Sequence, residues 1–160
     1  MLKENEIAKD FTLPRFDGGE SNFHRDSQGK TSVLAFYKFS CPVCQFTFPF
    51  LEKIFKAYGD EFYFVAIAQD PPDKTESFRK DYRITMPTLM DMNPYQVSRS
   101  YGLEVVPSLF LVNPDHKIDY AGEGFSKQDL LNLADTLAEK SGRTQIEVFG
   151  NANVPDFKPG

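Results

Sequence analysis

Thr31-Ser32-Val33-Leu34-Ala35-Phe36-Tyr37-Lys38-Phe39-Ser40-Cys41-Pro42-Val43-Cys44 runs a nearly unbroken series of β-forming apolar residues into the only two cysteines of the chain. Such a run suits a central strand buried on both faces. Pro42 suits the first position of a helix, where a missing N–H leaves no bond unmade. The stretch therefore reads as strand, short loop, helix, with Cys41 at the helix N-cap. Unpaired N–H groups and the helix dipole favour a thiolate there. Cys41 is the predicted nucleophile, its pKa depressed mainly by the helix terminus. Cys44, one turn along, is placed to attack the mixed disulfide that Cys41 forms and to close an intramolecular disulfide.

Downstream, Pro42 to Tyr58 reads as a helix carrying Phe46, Phe50, Leu51, Ile54, Phe55 and Tyr58, ended by Gly59 and kinked by Pro49. Glu61 to Ala68 is a second central strand, and Asp73 to Tyr82 a helix after Pro71-Pro72. A short strand at Met86–Met90, a helix at Pro94–Tyr101, a strand at Ser108–Val112, a hairpin arm at Lys117–Ala121 and a closing helix at Ser126–Lys140 follow. Upstream, Ala8–Pro14 turns at Asp17-Gly18-Gly19-Glu20 toward Phe23, a small hairpin. The pattern predicts an α/β fold: a three-layer α/β/α sandwich on a central mixed sheet, with an N-terminal β-hairpin. Residues 1–160 are expected to form a single domain, with 141–160 an irregular C-terminal extension that docks if Ile146, Val148 and Phe149 find an apolar surface.

A net charge of −5 and a pI near 5.0, with the 18 Lys and Arg scattered, exclude the basic stripe of a nucleic-acid binder. The opening Met1-Leu2-Lys3-Glu4-Asn5-Glu6 lacks the features of a signal peptide, and no apolar run is long enough to span a membrane. A lone C-x-x-C is more often catalytic or metal-binding than structural in a reducing compartment, which points to the cytoplasm, or to an extracytoplasmic site if a leader has been removed. No cofactor is expected. A zinc site at Cys41 and Cys44 needs two further ligands, and the only histidines, His24 and His116, read as surface loop residues. Met86, Met90 and Met92 read as core fillers, and Glu76, Arg79, Lys80, Asp81 and Arg83 as a solvated helix face and end. Lys38 reads as a solvated lysine.

Several separated motifs then resemble the thioredoxin superfamily, in its redoxin branch of TlpA- and ResA-like thiol-disulfide oxidoreductases and peroxiredoxins. Ala8-Lys9-Asp10-Phe11-Thr12-Leu13-Pro14 resembles the family's opening segment, with Lys9 in place of a proline. Cys41-Pro42-Val43-Cys44 with Pro49 resembles its active-site helix. Val105-Val106-Pro107-Ser108 resembles its cis-proline segment, which implies that Pro107 is cis and faces the cysteines. A proline opening a strand offers no N–H, leaving neighbouring backbone free to meet an extended peptide. Pro42, Val43, Val106 and Pro107 are thus the expected substrate-binding residues, with Val106 giving main-chain contacts.

The resemblance implies exchange of the dithiol with a disulfide-containing protein substrate and recycling by another dithiol reductant. Two acids of relatives are missing: the position six before the first cysteine is Ala35, and that three after the second is Thr47. The alternative, a thiol peroxidase, lacks its signature. Aligned on Cys44, the signature's proline falls at Tyr37 and its threonine at Cys41.

Overall fold

The computed structural model describes all residues, 1–160. The chain opens with an antiparallel hairpin, β1 (Thr12–Pro14) and β2 (Glu20–Asn22), and a single turn of helix, α1 (Phe23–Asp26). Asn22 starts that turn by accepting from the Arg25 N–H at 2.9 Å. The two apolar runs become β3 (Ser32–Tyr37) and β4 (Tyr63–Ala68), every residue of both buried. Between them lie α2 (Pro42–Tyr58) and a 3₁₀ turn at Gly59–Glu61. Then come α3 (Pro72–Asp81), β5 (Thr88–Met90), α4 (Gln96–Ser100), β6 (Ser108–Val112), β7 (Ile118–Glu123), β8 (Phe125–Ser126), α5 (Lys127–Ser141) and β9 (Phe157–Lys158).

The central sheet has the order β5-β4-β3-β6-β7, with β3, β4 and β5 parallel and β6 and β7 antiparallel to their neighbours. Alternation along β3 divides the core. Val33, Ala35 and Tyr37 join Phe48, Leu51, Ile54, Phe78 and Leu133 under α2, α3 and α5. Leu34 and Phe36 point the other way, to Phe11, Phe23, Val97, Tyr101 and Phe110. The second face is therefore covered by the N-terminal segment and the short helices α1 and α4. Each fully buried Phe contributes roughly 2 kcal/mol of transfer free energy, so the aromatic-rich composition is accounted for mainly by packing.

The sheet and long helices stand where the sequence places them, within a residue or two at most ends. Three readings are corrected. The helix predicted over Pro94–Tyr101 begins only at Gln96, because Tyr95 is held in the left-handed region at φ 59°. Arg79 is not solvated: its Nη1 donates to the Met86 carbonyl at 2.7 Å and to Thr88 Oγ1 at 2.6 Å, tying α3 to β5. Met92 is 39% exposed rather than a core filler.

Of the two histidines, His116 does lie in the turn between β6 and β7, but His24 lies in α1 rather than a loop, and its ring stacks on His116 at 3.7 Å and 4°, so that both are half-buried beside Phe23 rather than free at the surface. Phe23 belongs to the sheet face opposite Cys44, so the four residues of the zinc alternative do not converge. Burial, and secondarily a charge on His24, makes His116 harder to protonate than its ordinary value of 6.5. The unfolded chain then binds the proton more readily. Stability is full above pH 6.5 and falls as pH drops through that value toward the folded pKa. His116 has φ 68°, which Asn tolerates. His116→Asn is therefore expected to flatten the fall in melting temperature between pH ~8 and ~5; parallel curves for parent and variant would eliminate the pair as its source.

Candidate active site

The geometry of the cysteines follows from the loop between β3 and α2. Cys41 sits at the N-cap with extended backbone, φ −82° and ψ 115°, and its Sγ accepts the Cys44 N–H at 3.3 Å. Pro42 occupies the first helical turn, as its fixed φ favours. Both cysteines are free thiols; Cys41 is partly exposed and Cys44 fully buried. Burial pushes the Cys44 thiol well above its ordinary value. One sulfur is thus open to an incoming disulfide, and the other is reached only through it.

Pro49 lies on the exposed side of α2 and removes one intrahelical bond, a change that costs about 3 kcal/mol in an ordinary helix. The helix persists because both arms are buried, through Cys44, Thr47 and Phe48 before the proline and Leu51, Glu52, Ile54 and Tyr58 after it.

Across from Cys41 stands the loop entering β6. The Val106–Pro107 peptide is cis, and the Cys41 thiol donates to the Val106 carbonyl at 3.4 Å. Of the six predicted site residues, the structure joins Cys41 to Cys44 and to Val106 by hydrogen bonds, and Pro107 adjoins through the cis bond. Pro42 is exposed and Val43 half-buried between the cysteines. The Val106 N–H makes no backbone hydrogen bond. Behind Pro107 lies a narrow cleft lined by Ala35, Thr47, Tyr120 and Asp129 among others. The two positions that lack an acid therefore face a space whose nearest carboxyl, Asp129, is bonded to Tyr120 Oη.

Sequence reasoning missed Asp70. It is 2% exposed, and its Oδ2 accepts the Phe39 N–H at 2.9 Å, while the Phe39 carbonyl accepts from Gln45 Nε2 at 2.9 Å. Tyr37 pairs with Ala68, so Phe39 and Asp70, each two residues on, emerge side by side at the sheet's end. No local signal reports that register. Burial holds the Asp70 carboxyl above the usual range, and its charge adds to what burial does in raising the Tyr37 phenol and the Cys44 thiol. The Tyr37 hydroxyl, buried among them, has no hydrogen-bond partner.

The tail reaches the same place. Arg143 anchors it by a bidentate pair with Asp60 at 2.7 and 3.0 Å, Val148 is buried, and Phe149 packs on Phe50 at 4.8 Å. Past Gly150, at φ 53°, the chain returns, and β9 pairs antiparallel with β8. Gly124 permits the approach: a Cβ there would stand 2.4 Å from the Lys158 carbonyl. A Cβ on Gly160 would stand 2.6 Å from the Val106 carbonyl oxygen, so the tail ends against the acceptor of the Cys41 thiol.

A reduced cysteine pair opening the helix after a central strand, with a cis-proline loop facing it, is the layout of the thioredoxin fold. A solved structure described as a putative protein disulfide isomerase from Bacteroides thetaiotaomicron matches it with a TM-score of 0.79 at 22% identity, over 89% of this chain and 92% of its own. Within that fold the chain belongs to the AhpC/TSA family, which matches residues 5–121. Its relatives include the thioredoxin-like protein YneN of Bacillus subtilis, 28% identical over 116 residues, 70% of this chain and 66% of that protein. The thiol-disulfide oxidoreductase ResA of the same organism is 28% identical over 120 residues, 73% of this chain and 65% of ResA. The match thus spans slightly less than two thirds of either relative. No helix of this chain is long and apolar enough to cross a membrane.

Proposed function

We propose that the protein is a thiol-disulfide oxidoreductase. The observation that carries this is the asymmetry of the pair, an accessible Cys41 hydrogen-bonded to the Val106 carbonyl beside a buried Cys44. The Cys41 thiolate attacks one sulfur of a substrate disulfide and expels the other as a thiolate. Cys44 then attacks the Cys41 sulfur, closing the intramolecular disulfide and releasing the second substrate thiol. Two electrons pass from the dithiol to the substrate, and a second dithiol restores the reduced pair. The Val106 main chain, with its free N–H, offers an edge for the extended backbone of a protein substrate, while Pro42, Val43 and Pro107 give that substrate apolar contacts.

Peroxide reduction is disfavoured because the position of the peroxidase threonine is Cys41 and that of its proline is Tyr37, buried in β3. Mixing reduced protein with a disulfide-bonded protein and, separately, with hydrogen peroxide tests the reading. Fast disulfide formation between Cys41 and Cys44 is expected from the first and slow oxidation from the second; the reverse order would make the protein a peroxidase.

Asp70 is the acid we assign to the resolving step. Cys44 must lose a proton in a buried site, and a carboxylate with a raised pKa takes it without leaving two charges there. Asp70→Asn is expected to slow release of the mixed disulfide about tenfold or more at neutral pH, leaving attack by Cys41 unchanged in single-turnover measurements. Release as fast as in the parent would remove Asp70 from the mechanism.

A further inference from the structure

We propose that residues 154–160 form a strap over the edge where a polypeptide disulfide docks, so that an extended substrate must lift the chain's own tail to reach Cys41. This rests on the exchange activity proposed above. The seat for substrate backbone is the Val106 main chain, whose carbonyl accepts the Cys41 thiol at 3.4 Å. The tail comes to that same carbonyl. A Cβ built on Gly160 would stand 2.6 Å from the Val106 oxygen and 3.2 Å from Val105 Cγ2. Paired strands lie about 4.7–4.9 Å apart, so no second backbone fits between Gly160 and Val106.

The tail reaches this point in extended form. β9 runs antiparallel to β8, with Lys158 opposite Phe125 and Phe157 opposite Ser126, and the Lys127 N–H donates to the Asp156 carbonyl at 2.9 Å. Just before β8, the Gly124 N–H donates to the Pro107 carbonyl at 2.8 Å, which joins β8 and the cis-proline loop into one rim. Phe125 packs on Phe46 of the active-site helix at 4.9 Å, and Lys158 lies over the same ring at 4.8 Å. The tail thus follows a rim that begins at β8 and finishes beside the nucleophile. An extended polypeptide adding itself to an exposed strand edge takes the same course.

Its hold is uneven. The root is fixed by buried Val148 and by the Arg143 pair with Asp60. Beyond Gly150 no residue is buried: Val154 and Lys158 are half-buried, Phe157 is 56% exposed, and β9 is two residues long. Few buried apolar contacts and solvent-facing backbone bonds put a segment at the low end of local stability. The strap therefore opens without the rest of the fold, and the fraction of molecules in which it is open scales the rate for polypeptide disulfides. A small disulfide needs only the exposed side of Cys41 and is indifferent to it.

The test compares 2-hydroxyethyl disulfide with an unstructured, uncharged peptide dimerised through a central cystine. Each is mixed with fully reduced protein, and its rate constant is divided by that for the same disulfide with 2-mercaptoethanol, which removes intrinsic reactivity. Gly160→Val drives a side chain against the Val106 oxygen, and Val154→Ser removes the apolar contact that holds the other end of the strap on the core. Each is expected to speed the peptide about fivefold and to leave 2-hydroxyethyl disulfide within about twofold of the parent, with a melting temperature near the parent's. A peptide rate unmoved in both variants, or equal acceleration of both disulfides, overturns the proposal while exchange itself stands. A second measurement keeps the tail unaltered. Cys44→Ala is joined through Cys41 either to the peptide or to 2-mercaptoethanol, and the amide signals of Phe157, Lys158 and Gly160 are followed by nuclear magnetic resonance. They are expected at unfolded-chain positions in the first adduct and at folded positions in the second; the same positions in both overturn the proposal. Failure of both disulfides to oxidise the reduced pair would overturn the exchange reading, and the proposal with it.

Discussion

Cys41→Ser is expected to lower the rate of protein-disulfide reduction about a thousandfold or more, because the remaining thiol, Cys44, is fully buried and held in its protonated form by that burial, out of reach of an incoming disulfide. Cys44→Ala is expected to fail differently. Attack by Cys41 proceeds, but the mixed disulfide has no buried thiol to resolve it and accumulates as a covalent adduct visible by mass. Ala is the informative replacement, since Cys44 is fully buried and a small apolar side chain keeps the packing of α2 against β3. The pair of variants separates the two roles in one experiment. Turnover by Cys44→Ala at the parent rate would show that resolution does not pass through Cys44, and an adduct on Cys41→Ser would reverse the assignment.

The second large effect lies behind the site, at Glu52. This residue of α2 is 4% exposed, and its carboxyl accepts from the Thr85 N–H at 2.9 Å, the Thr85 hydroxyl at 2.5 Å and the Met86 N–H at 3.0 Å. It is the bolt between the active-site helix and the loop that leads into β5. Glu52→Ala removes the acceptor of three bonds at once and leaves two backbone donors without partners, at a cost of about 3 kcal/mol. For a chain of this size that lowers the melting temperature by roughly 6–12 °C. Glu52→Gln keeps one acceptor oxygen and is expected to lose about 1 kcal/mol. Urea unfolding with an unchanged m-value measures both. An Ala variant within about 1 kcal/mol of the parent, or a Gln variant as damaged as Ala, would mean that the loop is held by something else.

The parts of the fold legible in the sequence are those whose cause is local. Ser32–Tyr37 and Tyr63–Ala68 announce themselves because strands buried on both faces have no polar face to show. The bounds of α2 are written in Cys41-Pro42 and Gly59, and those of α5 in Ser126, which accepts from the Asp129 N–H, and Gly142, which closes it at φ 67°. The cysteine pair, the cis bond at Pro107 and the docking of Ile146, Val148 and Phe149 were all within reach of the sequence. What escaped it depends on partners far along the chain. Asp70 reaches Phe39 across 31 residues, and Gly160 reaches Val106 across the whole of α5 and the tail. His24 meets His116 only because the N-terminal segment lies along β7, through the bridge between Ile7 and Lys117. Arg79 shares the charge pattern of a solvated helix face, and only the position of β5 shows that it is tied down.

The path of the tail bears on how this protein is handled and engineered. Any peptide joined after Gly160 starts its course beside the Val106 carbonyl, within reach of Cys41. A cysteine or disulfide carried on a short appended sequence meets the nucleophile at an effective concentration of about millimolar, far above that of a dilute substrate in free solution. A cysteine-bearing tag joined at that position is therefore a tethered competitor, whereas the same position makes a ready attachment point for a covalently delivered substrate.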